Sequence, residues 1–349
     1  MKKLVAMMFL LAELVSVGYG QGPKAANAPF TLNWSEGKCL GCKIAARLGE
    51  IQFVSRSEVW AVGSEDHPGG VNVVVVHSTD AGHTWREVPQ SQQYTDPDAR
   101  LAFSFLDAAR GWIDPLDVVA DEGKMISTRD GGRHWRRVSQ QFLQSMQFID
   151  DRHGYGTVAN EFFRTDDGGR SWVETKIPDI GFIDRLFFLT PELGWIAGHG
   201  KDLLVFRTVN GGRDWEESRT TPPQQPDRVR DLFFFDQQRG WLTTWNHIGD
   251  GEGTYLYSTV DGRKHWTTDP DLSFQGKDKE ANVVRFTSIE RGFVFFLEGG
   301  QNRLAFTTDG GRHWYKQALP RYVDDCQVFA GDLMCSAQPG FRLLTLHPR

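Results

Sequence analysis

Apolar residues in this chain fall in short runs separated by polar turns. The clearest are Glu50–Val54, Leu101–Phe105, Ser145–Ile149, Arg185–Leu189, Asp231–Phe235 and Val283–Thr287. Each leads through a short polar turn into a second run, entered by a glycine-aromatic pair or its equivalent. Those pairs are Val59-Trp60, Gly111-Trp112, Gly154-Tyr155, Gly194-Trp195, Gly240-Trp241 and Gly292-Phe293. A third run follows, as at Val73–His77, Leu203–Arg207 and Thr254–Tyr257, and a fourth starts at a tryptophan. Short β-rich runs at regular spacing, with turn signals between them, predict an all-β sandwich, barrel or propeller.

One phrase joins the third run to the fourth: Ser/Thr-x-Asp-x-Gly-x-x-Trp. It occurs at Ser78–Trp85, Thr128–Trp135, Thr165–Trp172, Thr208–Trp215, Thr259–Trp266 and Thr307–Trp314. The tryptophans stand 37 to 51 residues apart, a period that belongs to solenoids, propellers and arrays. Four strands per unit of about 46 residues match a propeller blade. Three more runs, Asp325–Phe329, Leu333–Ala337 and Phe341–Leu346, follow the last box, and Phe30–Trp34 precedes the first unit. Together they supply a seventh blade drawn from both chain ends, which removes an open edge. The expectation is an all-β chain with one seven-bladed propeller over 30–349, its seventh blade closed by the N-terminal strand.

The box has the chemistry of a turn. The hydroxyl residue ends a strand, the carboxylate accepts backbone N–H groups nearby, and glycine supplies a positive φ. The tryptophan then returns into the apolar layer between sheets. A structural role is therefore assigned to Asp80, Trp85, Asp130, Trp135, Asp167, Trp172, Asn210, Trp215, Asp261, Trp266, Asp309 and Trp314. Asn210 keeps the acceptor without the charge, and Arg263 in place of glycine predicts a different turn. The acidic turns lack the length and terminal Glu of a calcium loop. No metal and no cofactor is implied.

Composition narrows the partners. A formal net charge of -6 argues against nucleic acid, which needs a basic footprint. Lys2 and Lys3, an apolar stretch from Leu4 to Val17 and small residues at Gly18-Tyr19-Gly20 have the layout of a signal peptide over 1–20. A short linker over 21–29 follows, and the mature chain is expected to be secreted or periplasmic, without a membrane span, and monomeric. Four cysteines in such a setting read as disulfides. The local pairs Cys39 with Cys42 and Cys326 with Cys335 are preferred, the latter across a hairpin turning at Ala330-Gly331.

The strand order also sorts the loops onto two sides. Boxes and first-to-second-strand turns share one, where Arg110, Arg133, Arg152, Arg170, Arg213, Arg239, Arg291 and Arg312 recur. A basic ring on an acidic protein would steer an acidic protein partner; the plainer reading pairs each arginine locally. The other side carries the longer connections, with Asp66, His67, Asp114, Asp117, His199, Asp202, Trp245, His247, Asp250 and Glu252 as candidate ligand residues and Trp34 as added aromatic surface. A cation, a carbohydrate or a basic peptide would suit them.

The repeat resembles the Asp-box, or BNR, repeat, from Phe30 to the end of the chain. Its single-propeller length, export signal and recurring Gly-Trp before each box look most like the photosystem II stability and assembly factor family. That resemblance implies a seven-bladed propeller without catalytic activity that chaperones or scaffolds a partner protein. The alternative is a glycoside hydrolase, since sialidases and other sugar hydrolases also carry Asp boxes. The Phe/Tyr-Arg-Ile-Pro stretch expected of a sialidase is missing; Leu319-Pro320-Arg321 is late and misordered. A pair of loop-side carboxylates would have to serve instead.

Overall fold

The computed structural model describes residues 30–40, 47–67, 70–88, 92–94, 101–115, 125–219, 228–246, 253–262, 265–268, 274–275 and 279–348. Among these, the strands form seven sheets, each built on four antiparallel strands that are consecutive in the chain in every blade but the seventh. Blade 3 shows the plan: Ser145–Phe148, Gly154–Val158, Glu161–Thr165 and Val173–Lys176 pair in that order from the inside outward. Blade 1 adds two short strands, Lys38–Cys39 parallel to its outer strand and Gln92–Tyr94 on its third. Blade 7 takes Tyr322–Phe329, Asp332–Gln338 and Arg342–Pro348 from the C-terminal end, and Phe30–Glu36 pairs along its outer edge from Phe30↔Pro348 to Glu36↔Arg342. The ring is a seven-bladed β-propeller closed by the N-terminal strand, as expected. No helix among the described residues is long and apolar enough to cross a membrane.

The innermost strands of blades 4, 5 and 6 start earlier than their apolar runs suggest, at Phe182, Arg228 and Lys279. A register shift lies in each, at Ile183/Arg185, Val229/Asp231 and Ala281/Val283. A bulge inserts an extra residue and breaks the period of two, so the beginnings of these strands carry no continuous alternation to read.

The glycine-aromatic pair has a packing role. Each of five inner strands ends in a phenylalanine that lies between two aromatic rings. The aromatic of the preceding blade stacks flat on it: Trp60 on Phe105, Trp112 on Phe148, Tyr155 on Phe188, Trp195 on Phe234 and Trp241 on Phe286, with centroids 3.5–3.9 Å apart. The box tryptophan of its own blade meets the same ring edge-on: Trp135, Trp172, Trp215, Trp266 and Trp314 in turn. The paired glycine makes room, since a Cβ on Gly240 would stand 2.4 Å from the Phe234 ring. Trp85 and Trp266 are fully buried, whereas Trp135, Trp172, Trp215 and Trp314 are half-buried.

Inner strands are also stitched by side chains that reach the next blade's backbone. Gln52 bonds both N–H and C=O of Phe105, Ser104 accepts from Phe148, Gln147 bonds both groups of Phe188, and Asp184 accepts from Val229. Asp231 accepts from Val284, while Asp325 accepts from Ile51 and carries the ring from blade 7 back to blade 1. Arg285 ties three blades together, bonding Asp231, Asp325 (3.4 Å) and the Cys326 carbonyl (2.6 Å). Within blade 7, Cys326 and Cys335 form a disulfide behind the turn in which Ala330 and Gly331 both take positive φ. Cys39 is disulfide-bonded as well; Cys42 lies outside the described residues.

Candidate functional site

The box geometry follows from its residue types. In box 2, Thr128 Oγ1 accepts the Gly132 N–H and donates to Asp130 Oδ1, which accepts the His134 N–H. Asp130 Oδ2 takes the His134 ring, and Trp135 Nε1 closes onto the Gly132 carbonyl. The residue before the tryptophan contacts the third-position side chain in every box: Thr84, His134, Ser171, Asp214, His265 and His313. Where that side chain is Asn210 the polarity reverses, and its Nδ2 donates to Asp214. In box 5, Thr259 accepts from Gly262, three residues on instead of four; Arg263 lies outside the described residues.

These bonds set the carboxyls. At Asp130 the backbone and ring of His134 hold it down at about 2. Partial burial works upward at Asp80 and Asp309, but hydrogen bonds from Thr84 and His313 outweigh it and both fall to about 2.

On the box side, the first-to-second-strand turns of blades 1 to 6 are each held by their first side chain, as when Asp107 Oδ1 accepts from Ala109 and Arg110. The turn is pinned to its box by backbone bonds such as Gly131 to Ala109 and Gly168 to Arg152. The candidate arginines divide on this frame. Arg110 pairs with Asp107 (2.7 Å) and Asp151 (2.6 Å), and Arg239 pairs with Asp236 (2.8 Å). Arg152, Arg170 and Arg213 donate only to carbonyls, those of Asp166, Asp167 and Asn210. Arg291 is partly buried and has a partner. The side chains of Arg133 and Arg312 have no hydrogen-bond or ion-pair partner among the described residues, and the same holds for Arg129 and Arg136.

The arginines without a carboxylate concentrate between blades 2 and 3. A small cavity opens there, lined by Arg110, Trp112, Arg129, Asp151, Asp167 and Arg170 among others. Trp112 Nε1 forms its floor by donating to the Gly168 carbonyl (2.9 Å). Arg129 and Arg170 of its lining are exposed, and Arg133, Arg136 and Arg152 are exposed on the same two blades. Arg129 was legible as the second residue of its box, an outward position in all six copies. That Trp112 reaches across to the next box was not.

The opposite side assembles differently from its sequence reading. Asp66 and His67 belong to the second strand of blade 1, which runs from Val59 to His67. Asp117, His247, Asp250 and Glu252 lie outside the described residues. Asp202 is exposed on a tight turn closed with Gly200. Trp34 is not aromatic surface of this side; it sits within the outer strand of blade 7 and packs against that blade's core. Two candidates do join a polar belt at the start of the inner strands. His199 Nδ1 meets Asp184 Oδ2 at 2.7 Å, and Trp245 lies beneath the Arg230 guanidinium at 5.1 Å. Arg230 in turn pairs with Glu280, and Asn282 donates to the Tyr322 hydroxyl. The bulges place Asp184, Arg230 and Asn282 in this belt, so no spacing in the chain announces it. Its carboxylates are occupied, Asp184 by His199 and the Val229 N–H, Glu280 by Arg230.

Asp114 is fully buried at the end of a blade 2 strand. Its Oδ2 accepts from Leu143 at 2.6 Å, and Oδ1 has no partner among the described residues. Burial pushes its carboxyl up to about 7, against the pull of the Leu143 N–H. Between pH 4 and 7 the folded chain keeps a proton that the unfolded chain releases. Stability from this site is therefore full at low pH and declines as pH rises to 7, by up to about 4 kcal/mol. Asp114→Asn is expected to raise the denaturation midpoint at pH 8 and leave it nearly unchanged at pH 4; an equal shift at both would rule out the buried carboxyl as the cause.

The fold and these surfaces define a seven-bladed β-propeller with polar sites on both sides of the ring. No family model matches the sequence, and no curated protein matches it either. Solved structures of similar fold include YCF48 bound to D1 peptide, with 17% identity and a TM-score of 0.64 over 90% of this chain and 96% of that one. They include YCF48 from Cyanidioschyzon merolae, at 15% identity and 0.62 over 90% and 98%. The GH74 xyloglucanase from Xanthomonas campestris is also similar, at 13% identity and 0.55, over 80% of this chain and 49% of the enzyme. The likeness to the YCF48 structures holds at the level of the fold, which the xyloglucanase shares.

Proposed function

We propose that this chain is a binding propeller that docks an acidic segment of a partner protein on the box side of blades 2 and 3. The observation that carries this reading is the group of five exposed arginines on blades 2 and 3, Arg129, Arg133, Arg136, Arg152 and Arg170, that have no carboxylate partner among the described residues; Arg129 and Arg170 line the cavity. In a chain of net charge -6, a sector of exposed arginines without carboxylate partners attracts an acidic partner and speeds its association. Guanidinium forks also match carboxylates in two-point contacts. That a propeller of the same fold has been solved with a peptide supports a polypeptide as the ligand. Residues 1–20 read as an export signal, which places the partner outside the cytoplasm in this proposal.

The test is affinity capture from the native exported fraction with the parent chain and with the variant Arg129→Glu/Arg133→Glu/Arg136→Glu. The parent is expected to retain an acidic protein at low salt and release it as salt rises, and the variant to lose it at an unchanged melting temperature. Equal capture by both would end the reading.

A further inference from the structure

The side chain of the second box residue takes no part in closing the turn. It is exposed in all six copies, as Thr79, Arg129, Asp166, Val209, Val260 and Thr308. In blades 4 and 5 it is valine, 58% and 80% exposed. The box is closed by its hydroxyl, its carboxylate or amide and its glycines, so nothing in the fold asks for an apolar side chain there. The adjoining turns add Leu189 in blade 4 and Ile289 in blade 6, 37% and 46% exposed. Four of the seven exposed large apolar residues among the described residues thus lie on one side of three consecutive blades. Box and turn sit together within each blade, joined by the Gly211 N–H to Glu192 and the Gly310 N–H to Glu290. Blade 3 meets this sector through the Tyr155 hydroxyl, which donates to the Pro191 carbonyl. The box side therefore runs from a basic sector on blades 2 and 3 into an apolar sector on blades 4 to 6.

Resting on the acidic-segment reading above, we infer that the same partner segment is bipartite, with an acidic stretch for the arginines and an apolar stretch that covers Leu189, Val209, Val260 and Ile289. The two sectors share one side of the ring and adjoin through blade 3, so a single extended chain spans both. Large apolar side chains exposed on neighbouring box-side turns offer an interaction surface, and the guanidinium groups of the adjoining blades specify the charge of what approaches it. Two tethered contacts raise overall affinity through effective concentration, without needing either to be strong.

Three synthetic peptides test this by fluorescence anisotropy: a glutamate block, a leucine-valine block, and both joined by a Gly-Ser linker. The joined peptide is expected to bind the parent chain about tenfold or more tightly than the glutamate block. Val209→Asp/Val260→Asp, at exposed tips that leave the melting temperature unchanged, is expected to abolish that gain and leave glutamate-block binding intact. A gain that survives in this variant overturns the bipartite segment. So does finding that the variant instead loses self-association or binding to phosphatidylcholine vesicles, because the apolar sector then serves a second copy or a lipid surface. Failure of Arg129→Glu/Arg133→Glu/Arg136→Glu to weaken the glutamate block, or no binding of that block at all, strikes the acidic-segment reading itself, and the bipartite inference falls with it.

Discussion

Phe234→Ala is expected to lower the free energy of unfolding by about 3–5 kcal/mol, the range for removing a buried aromatic ring. The ring is the middle of three: Trp195 of blade 4 stacks on it at 3.6 Å, and Trp266 of its own blade meets it edge-on at 5.8 Å. Both flanking tryptophans are fully buried, and the short glycine at Gly240 holds the backbone close beneath the ring. Alanine therefore leaves a cavity at a junction of two blades, with little slack for collapse. Chemical denaturation should show a lower midpoint at an unchanged slope. A loss below about 1 kcal/mol would mean that the inter-blade layer relaxes freely, against the close packing of interiors. Trp266→Ala should cost as much, and the half-buried Trp172 and Trp314 less.

Arg285→Ala should be the other large loss, also about 3–5 kcal/mol at neutral pH, because removing one member of a buried ion network strands the rest. Arg285 is the cation shared by Asp231 and Asp325, and both carboxylates also hold backbone N–H groups of the next blade. Without it two negative groups share a poorly hydrated space. Burial already raises the Asp325 carboxyl above its ordinary value, while Arg285 draws it down. Losing the guanidinium raises it further, so the variant takes up a proton on folding. Its deficit is then greatest above the raised value and shrinks as pH falls toward the ordinary carboxylate range. Denaturation at pH 8 and pH 5 checks this. A small loss, equal at both, would show that solvent screens the network.

Much of the architecture is readable in one dimension. The box sets its own turn, since Ser78, Asp80, Gly82 and Thr84 bond within eight residues of Trp85. The site is less legible. Arg110 and Arg170 belong to the same recurring positions, yet Arg110 is neutralised by Asp151 from the next blade's turn and Arg170 meets only a carbonyl. Sequence position does not distinguish these cases, because the neighbour that decides each one can lie 41 residues away. On the opposite side, His199 and Trp245 stand out as isolated polar and aromatic residues. Their partners Asp184 and Arg230 sit where a bulge breaks the alternation.

By itself the sequence determined the repeat, the strand order, the count of blades and the origin of the closing strand, because these rest on local turn chemistry and short-range periodicity. Only the tertiary structure decided which rings stack between blades, which arginines stay without a carboxylate, and which carboxyl is sealed at Asp114. Those outcomes depend on contacts between blades, whose partners are set by ring closure and bulge placement and not by spacing along the chain.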